Sequence, residues 1–248
     1  MTGRFRIRAA PKQFMKGRIM REVRMQYMLP HQLQRARREL PLIFLPIGPL
    51  EWHGPHMAVG IDPLNAEQVA LAAARRMGGV VHPTIYLGTE RERPPEMLVS
   101  LGVKPTDYVV GMDFPKARGL YPSFYYPEEL FALVIRAHIA RSIRNGYRHV
   151  FLLNGHGAHN QLAVLRRLAI EFNHEQERGR VALGLAWTGD LMKSAGHADV
   201  GETALMMYYH ARGVDLKRLP PQRRTMKYAD YSVVDCGGFD GHPGPRHT

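Results

Sequence analysis

Strands that alternate with helices predict an α/β protein, a three-layer α/β/α sandwich around a mainly parallel central sheet. Three observations carry that expectation. Short apolar runs recur between stretches with helical periodicity. Those runs are continuously apolar rather than alternating, as strands covered on both faces are. The chain has 248 residues, 45% hydrophobic and 23% charged, enough for one such unit. The expected organisation is a basic N-terminal arm over residues 1–40 and a single domain over 41–248.

The elements follow in order. Residues 41–48 form a short apolar run ending in glycine, a buried strand entering a loop. Residues 65–77 are rich in alanine with apolar positions at helical spacing, and Gly78-Gly79 stops that helix. Residues 80–87 read as a second strand. Residues 88–126 are rich in Gly, Pro and Tyr with little periodicity, and so long a stretch without elements points to function. Residues 127–144 read as a helix, with proline in its first turn and Asn145-Gly146 at its end. Residues 149–153 are a third strand, 160–177 a helix, 181–187 a fourth strand, and 201–211 a further helix. Ligands of such sheets bind beyond the carboxyl ends of the strands, where the unusual polar residues of this chain cluster.

Composition excludes a largely disordered chain, a collagen-like fibre and a coiled-coil rod. No run of eighteen apolar residues occurs, and the N-terminus lacks an apolar stretch of signal-peptide length, so no membrane partner is expected. A single cysteine, Cys236, permits no intrachain disulfide and suits the cytoplasm. The net charge of +12 invites a nucleic-acid reading, but residues 1–40 hold +9 of it and the body only +3. The arm therefore packs on its own body or a partner subunit, or it binds an anionic partner.

Three strand-end loops carry the chemistry. The first holds Glu51, His53 and His56, with Asp62 beyond; the second runs Asn154-Gly155-His156-Gly157-Ala158-His159-Asn160; the third holds His197, Asp199 and Glu202. Imidazoles and carboxylates are the ligands of zinc, manganese and iron, and glycines let backbone approach an ion closely. Converging on one crevice, the loops would supply enough ligands for two metals.

Residues 45–56 (LPIGPLEWHGPH), with Asp62 following, resemble the signature of the creatininase family. Residues 154–157 (NGHG) resemble its second motif, and His197-Ala198 followed by Glu202-Thr203 its third. The resemblance spans about residues 40–212. It implies a creatininase-like α/β/α fold and two divalent metal ions, zinc first, with manganese or iron(II) as alternatives. It implies that Glu51 and His156 hold one metal, that His53 holds the other with Glu202, and that Asp62 bridges them. His56, Asn154 and His159 are expected to support the ligands; His159 either substitutes for a ligand or points away.

The expected reaction is hydrolysis of a C–N amide-type bond in a small cyclic or formamide-containing substrate by a metal-bridged hydroxide. His197 is the candidate proton donor, or else a hydrogen-bonding partner of Glu202. Creatinine itself is disfavoured. Ala158 stands where creatinine hydrolases carry a glutamate, and residues 192–196 lack an acidic and aromatic lining. Residues 114–126 replace a shorter stretch usual in the family and offer Lys116, Arg118, Tyr121 and Ser123 as substrate contacts, suited to an anionic group. The same aromatics could instead form a subunit contact. Residues 237–244 resemble the glycine-rich loop before the family's last helix. A homo-oligomer, a hexamer by family analogy, is expected. The competing readings are a nucleic-acid or anionic-partner binding protein acting through the arm, a C–C or ring-opening hydrolase of the same family, and an assembly subunit with a degenerate site.

Overall fold

The computed structural model describes residues 21–175, 179–187, 196–220 and 227–234. Five strands form one parallel sheet: β1 (Leu42–Gly48), β2 (Val80–Val81), β3 (Ile85–Tyr86), β4 (His149–Asn154) and β5 (Arg180–Leu185). The order is β2-β1-β4-β5, and β3 pairs with β1 on the same edge as β2. All seven residues of β1 are buried, as its continuous apolar run requires of the central strand.

The expected strand over 80–87 is broken in two. Phe44 faces Val81 and Ile47 faces Ile85, so this edge holds one residue more than β1 offers. His82-Pro83-Thr84 absorbs it as a bulge. The break faces Pro46. Phe44 O accepts from His82 N on this edge and Ile47 O accepts from Gly155 N on the other, so alternation turns Pro46 toward the gap. A proline has no N–H to lose there.

Helices cover both faces. On one face lie α1 (Pro30–Glu39), α4 (Glu128–Arg144) and α5 (His159–Glu175), packed on Ile43, Leu45 and Ile47. Phe131, Ile135 and Ile139 of α4 recur every fourth residue and are fully buried, each contributing about 2–3 kcal/mol. On the other face lies α2 (Ile61–Met77), whose Ala66, Ala70 and Ala74 bring it close to Leu42 and Phe44. Beside it packs α6 (Val200–His210), through Met206 and Ile61.

Residues 88–126 fold around the short helix α3 (Pro95–Ser100) and a bridge between Glu92 and Val110. Leu98, Val109, Met112 and Phe114 of this segment pack on Trp52. The last described stretch contains α7 (Tyr228–Tyr231). No helix among the described residues is long and apolar enough to cross a membrane.

Residues 21–39 of the basic segment pack on the body. Val23, Met28 and Ala36 are buried in its cores, and Val81 N donates to Val23 O beside β2. Arg24 pairs with Glu22 at 2.7 Å, and Arg21 pairs with Glu39. The helix α1 carries polar residues around much of its surface, which hid its buried Ala36 from a periodicity reading. Residues 1–20, Cys236 and the glycine-rich 237–244 lie outside the described residues.

The connection after β1 leads to α2 on one face, and the connection after β4 leads to α5 on the other. The two loops diverge and leave a crevice beyond the carboxyl ends of β1 and β4, the topological switch point of the sheet.

Candidate metal centre

The crevice holds the residues of all three loops. Glu51 and His53 follow β1, His156 follows β4, and Asp62 and Glu202 lie in the first turns of α2 and α6. Helix α2 starts at Ile61, earlier than the expected 65, which sets Asp62 where a helix N-terminus favours a carboxylate.

Close packing brings Asp62 to the strand ends. A Cβ on Gly48 would lie 2.7 Å from Pro63 N and 2.9 Å from the Asp62 carbonyl carbon. A Cβ on Gly155 would collide with the Asp62 carbonyl oxygen. Both positions must be glycine for α2 to seat its first turn here. Gly155→Ala is therefore expected to displace Asp62, cost about 1–3 kcal/mol of stability and lower ion affinity about 10–100-fold. Zinc titration against a chelating dye, with a thermal melt, measures both. Gly157→Ala, where a Cβ meets nothing within 4 Å, is the control that leaves ion affinity in place.

Asp62 is common to two donor groups. Glu51, Asp62 and His156 bring ligand atoms within 4.8 Å of one another, and so do His53, Asp62 and Glu202. His156 Nδ1 lies 2.9 Å from Asp62 Oδ2 and 3.0 Å from Glu51 Oε2. His53 Nε2 lies 3.4 Å from both Asp62 Oδ1 and Glu202 Oε2. His53 Nδ1 donates to Glu51 O at 3.0 Å, which leaves Nε2 buried with no hydrogen-bond partner. Three closely set acids and an orphaned imidazole nitrogen suit divalent cations, so the residues present fit a pair of ions. Glu51, His53 and His197 form a third group, with ligand atoms within 4.8 Å of one another.

The electrostatics follow from burial and these contacts. Burial alone would lower the pKa of His53, but Glu202 and Asp62 raise it to about 10. Burial raises Glu202 to about 8 against the opposing pull of His53. Burial would also raise Asp62 and Glu51; the His53 charge beside Asp62 and the His156 charge beside Glu51 hold both below their ordinary values.

Other residues hold these side chains in place. Tyr125 OH donates to Glu51 Oε1 at 2.5 Å, and Ala198 N donates to Glu202 Oε2 at 2.5 Å. Asp199 caps α6 by accepting from Glu202 N at 2.8 Å. Asn154 Nδ2 donates to His156 O, while Asn154 Oδ1 accepts from Gln161 Nε2 at 2.7 Å. His56 is buried, with Nε2 2.9 Å from Thr203 Oγ1. His159 is exposed at the start of α5 and belongs to none of the donor groups.

His197 lines the cavity and stacks on His53, ring centroids 4.3 Å apart. Its Nε2 donates to Trp52 O at 2.8 Å, so Nδ1 is the ring's acceptor. Burial, then the charge of His53, lowers its pKa to about 3. The hydrogen bond to the Glu202 carboxylate comes from Ala198 N, in place of the His197 partner role weighed from sequence. Ala198, buried at φ 54°, takes a left-handed conformation that is costly for alanine. His197 and Val234 exchange two 2.8 Å backbone hydrogen bonds that fix this turn.

The four expected substrate contacts are placed elsewhere. Lys116 is exposed outside the cavity lining. Arg118 donates its backbone N–H to Asp230 O and lays its guanidinium over the Tyr231 ring. Tyr121 is exposed and stacks on Phe124. Ser123 is a brace: its Oγ accepts from Trp52 N at 2.8 Å and donates to Asp113 at 2.6 Å. The turns of 112–126 set Ser123 against Trp52 N and Arg118 against α7, and leave Lys116 and Tyr121 exposed. The cavity, about 580 Å³, instead takes Glu90, Arg93, Met97 and Met112 from the earlier part of that segment. Sequence reasoning missed Arg93 and Tyr125 because nothing periodic surrounds them. Residues 192–195, read as lacking a creatinine-type lining, lie outside the described residues.

The comparisons fit this geometry. The creatininase family, described as creatinine amidohydrolase, matches residues 26–240. No curated protein matches the chain by sequence. Among solved structures, one titled "Creatininase Mn" is 19% identical, covers 84% of this chain and 81% of its own, and has a TM-score of 0.59. A creatininase point mutant complexed with creatine is 18% identical, covers 85% of each chain and has a TM-score of 0.60. A crystal structure titled a putative creatinine amidohydrolase, from Bacteroides fragilis NCTC 9343, is 18% identical, covers 90% of this chain and 85% of its own, and has a TM-score of 0.58. At these identities the likeness is one of fold.

Proposed function

Because the chain belongs to the creatininase family, we propose that it is a dinuclear metal-dependent amidohydrolase cleaving a C–N bond in a small substrate, cyclic or formamide-containing. The observation that carries the reading is the sharing of Asp62 between two three-residue donor groups. Glu51, Asp62 and His156 would hold one divalent ion, and His53, Asp62 and Glu202 the other. Zinc is the first choice and manganese or iron(II) the alternatives; one neighbour's title names manganese. Such a pair supplies an acidified water and a Lewis acid for a carbonyl oxygen.

The chain's own residues do the rest. Tyr125 holds Glu51 at Oε1 and leaves its Oε2 beside His156, while Ala198 N holds Glu202 at Oε2, the same oxygen that lies 3.4 Å from His53. Asn154 and Gln161 stiffen the His156 loop. His197, kept neutral by burial, offers Nδ1 as the acceptor of the proton lost by the attacking water. It then returns that proton to the leaving nitrogen, which makes it a base before it is an acid. A cytoplasmic homo-oligomer is part of the same reading.

The reading is tested by metal analysis of protein purified without added metal, followed by a screen of cyclic amides and formamides for C–N cleavage. About two ions per chain and chelator-sensitive release of amine or formate are expected. No ion bound, even after zinc or manganese is added, would overturn it.

A further inference from the structure

One charged side chain in the cavity wall has no counter-charge. Arg93 lines the same cavity as Glu51, His53, Asp62, His156 and Glu202. It is held there by its own backbone: Arg93 N donates to Val109 O at 2.8 Å beside the Glu92–Val110 bridge. Its Nε donates to Gly111 O. Its two terminal nitrogens lie 3.4 Å from Met97 Sδ and Met112 Sδ. Thioethers are weak acceptors, so they position the guanidinium without satisfying it. No carboxylate among the described residues forms an ion pair with Arg93. Glu90 lines the same cavity but lies beyond ion-pair distance, its carboxylate accepting from Arg91 N at 2.9 Å.

The other partly buried arginines among the described residues find an acid or a backbone carbonyl: Arg21 and Arg24 pair with Glu39 and Glu22, Arg136 with Glu171, and Arg37 donates to Asn145 O. A partly buried guanidinium whose two terminal nitrogens find only weak sulfur acceptors is a fork suited to a carboxylate or phosphate. We propose that Arg93 is an anion-recognising residue, and that the substrate carries a carboxylate or phosphate group beside the bond that is cleaved. This inference rests on the cavity being the substrate site of the proposed hydrolase. It moves the anion contact expected at Lys116 and Arg118 to a residue 23 to 25 positions nearer the N-terminus.

The test compares two probes of equal size, N-formylglycine and the neutral N-formylglycinamide, by ligand-observed NMR titration. The full chain is used zinc-loaded and, separately, after chelation, because bound ions also attract carboxylates. Wild type is expected to bind N-formylglycine about tenfold more tightly in both states. Arg93→Gln is expected to bind both probes alike after chelation, and Arg93→Lys to keep part of the preference. Circular dichroism and metal content identify any variant that fails to fold, and the lysine variant then carries the comparison. Equal binding of the two probes by wild type, no binding of N-formylglycine, or a preference that survives Arg93→Gln after chelation would each overturn the inference. A chain that holds two ions but shows no charge preference fails this inference alone. A chain that holds no ion fails the hydrolase reading, and the chelated comparison still decides the role of Arg93.

Discussion

Asp62→Asn is expected to abolish ion binding at both halves of the centre together. Asp62 is the one carboxylate present in both donor groups, with oxygens 2.9 Å from His156 and 3.4 Å from His53. Loss of a supporting residue around a metal ligand costs about 10–100-fold in affinity, so loss of the shared ligand should cost more than ~100-fold at each half. Metal content should fall from about two ions toward none, and chelator-sensitive amidase activity should disappear with it. The ion-free protein should also lose about 3 kcal/mol, since two buried imidazoles lose their nearest acid. Inductively coupled plasma analysis and urea unfolding of the same preparation read both effects. If the variant kept one tightly held ion, the two halves would not depend on a common ligand.

The second large effect is a reversal of the pH dependence of stability when ions bind. Without ions, His53 has its pKa raised from 6.5 to about 10 and Glu202 from 4.5 to about 8. His156 is raised as well: its burial pulls the other way, but the Glu51 charge outweighs it. Groups with raised values bind more protons in the folded chain than in the unfolded one. Their contribution is complete below the unfolded values and is lost as pH rises through the folded ones; His56 and His197, lowered by burial to about 4 and about 3, act in the opposite sense below 6.5, so stability falls between about pH 6.5 and 10. Glu51 and Asp62, held below their ordinary values, act in the opposite sense only at pH below about 4.5. The chelated protein should lose ~3 kcal/mol between pH 6 and pH 9. Zinc competes with the same protons, so its affinity rises with pH, and a saturated protein should keep or gain stability over that interval. Urea midpoints at the two pH values, with chelator and with zinc, measure this. Parallel trends in the two series would mean that ions and protons do not share these side chains.

Much of this was legible in the sequence because it is local. The fully apolar run of β1 required a strand buried on both faces, and the alanines of α2 required a helix close to a sheet. The loops after β1 and β4 stood out through imidazoles and carboxylates set among glycines, and these are the residue types that the crevice brings together. The split of the 80–87 strand was less legible, since it depends on a register count against Pro46 of another strand. The packing of residues 21–39 escaped because arginines outnumber the few apolar contacts that bury Val23, Met28 and Ala36.

What the sequence determined by itself is the order of strands and helices, the three loops and the chemical kind of their ligands. These follow from periodicity and residue type, which act over a few positions. Only the tertiary structure shows how Asp62 reaches both donor groups, through α2 seating its first turn against Gly48 and Gly155. It alone decided that Arg93 rather than Arg118 lines the cavity. The path of residues 88–126 is set by packing on Trp52 and by backbone bonds to distant segments, and aperiodic chain carries no local signal of where such bonds will form.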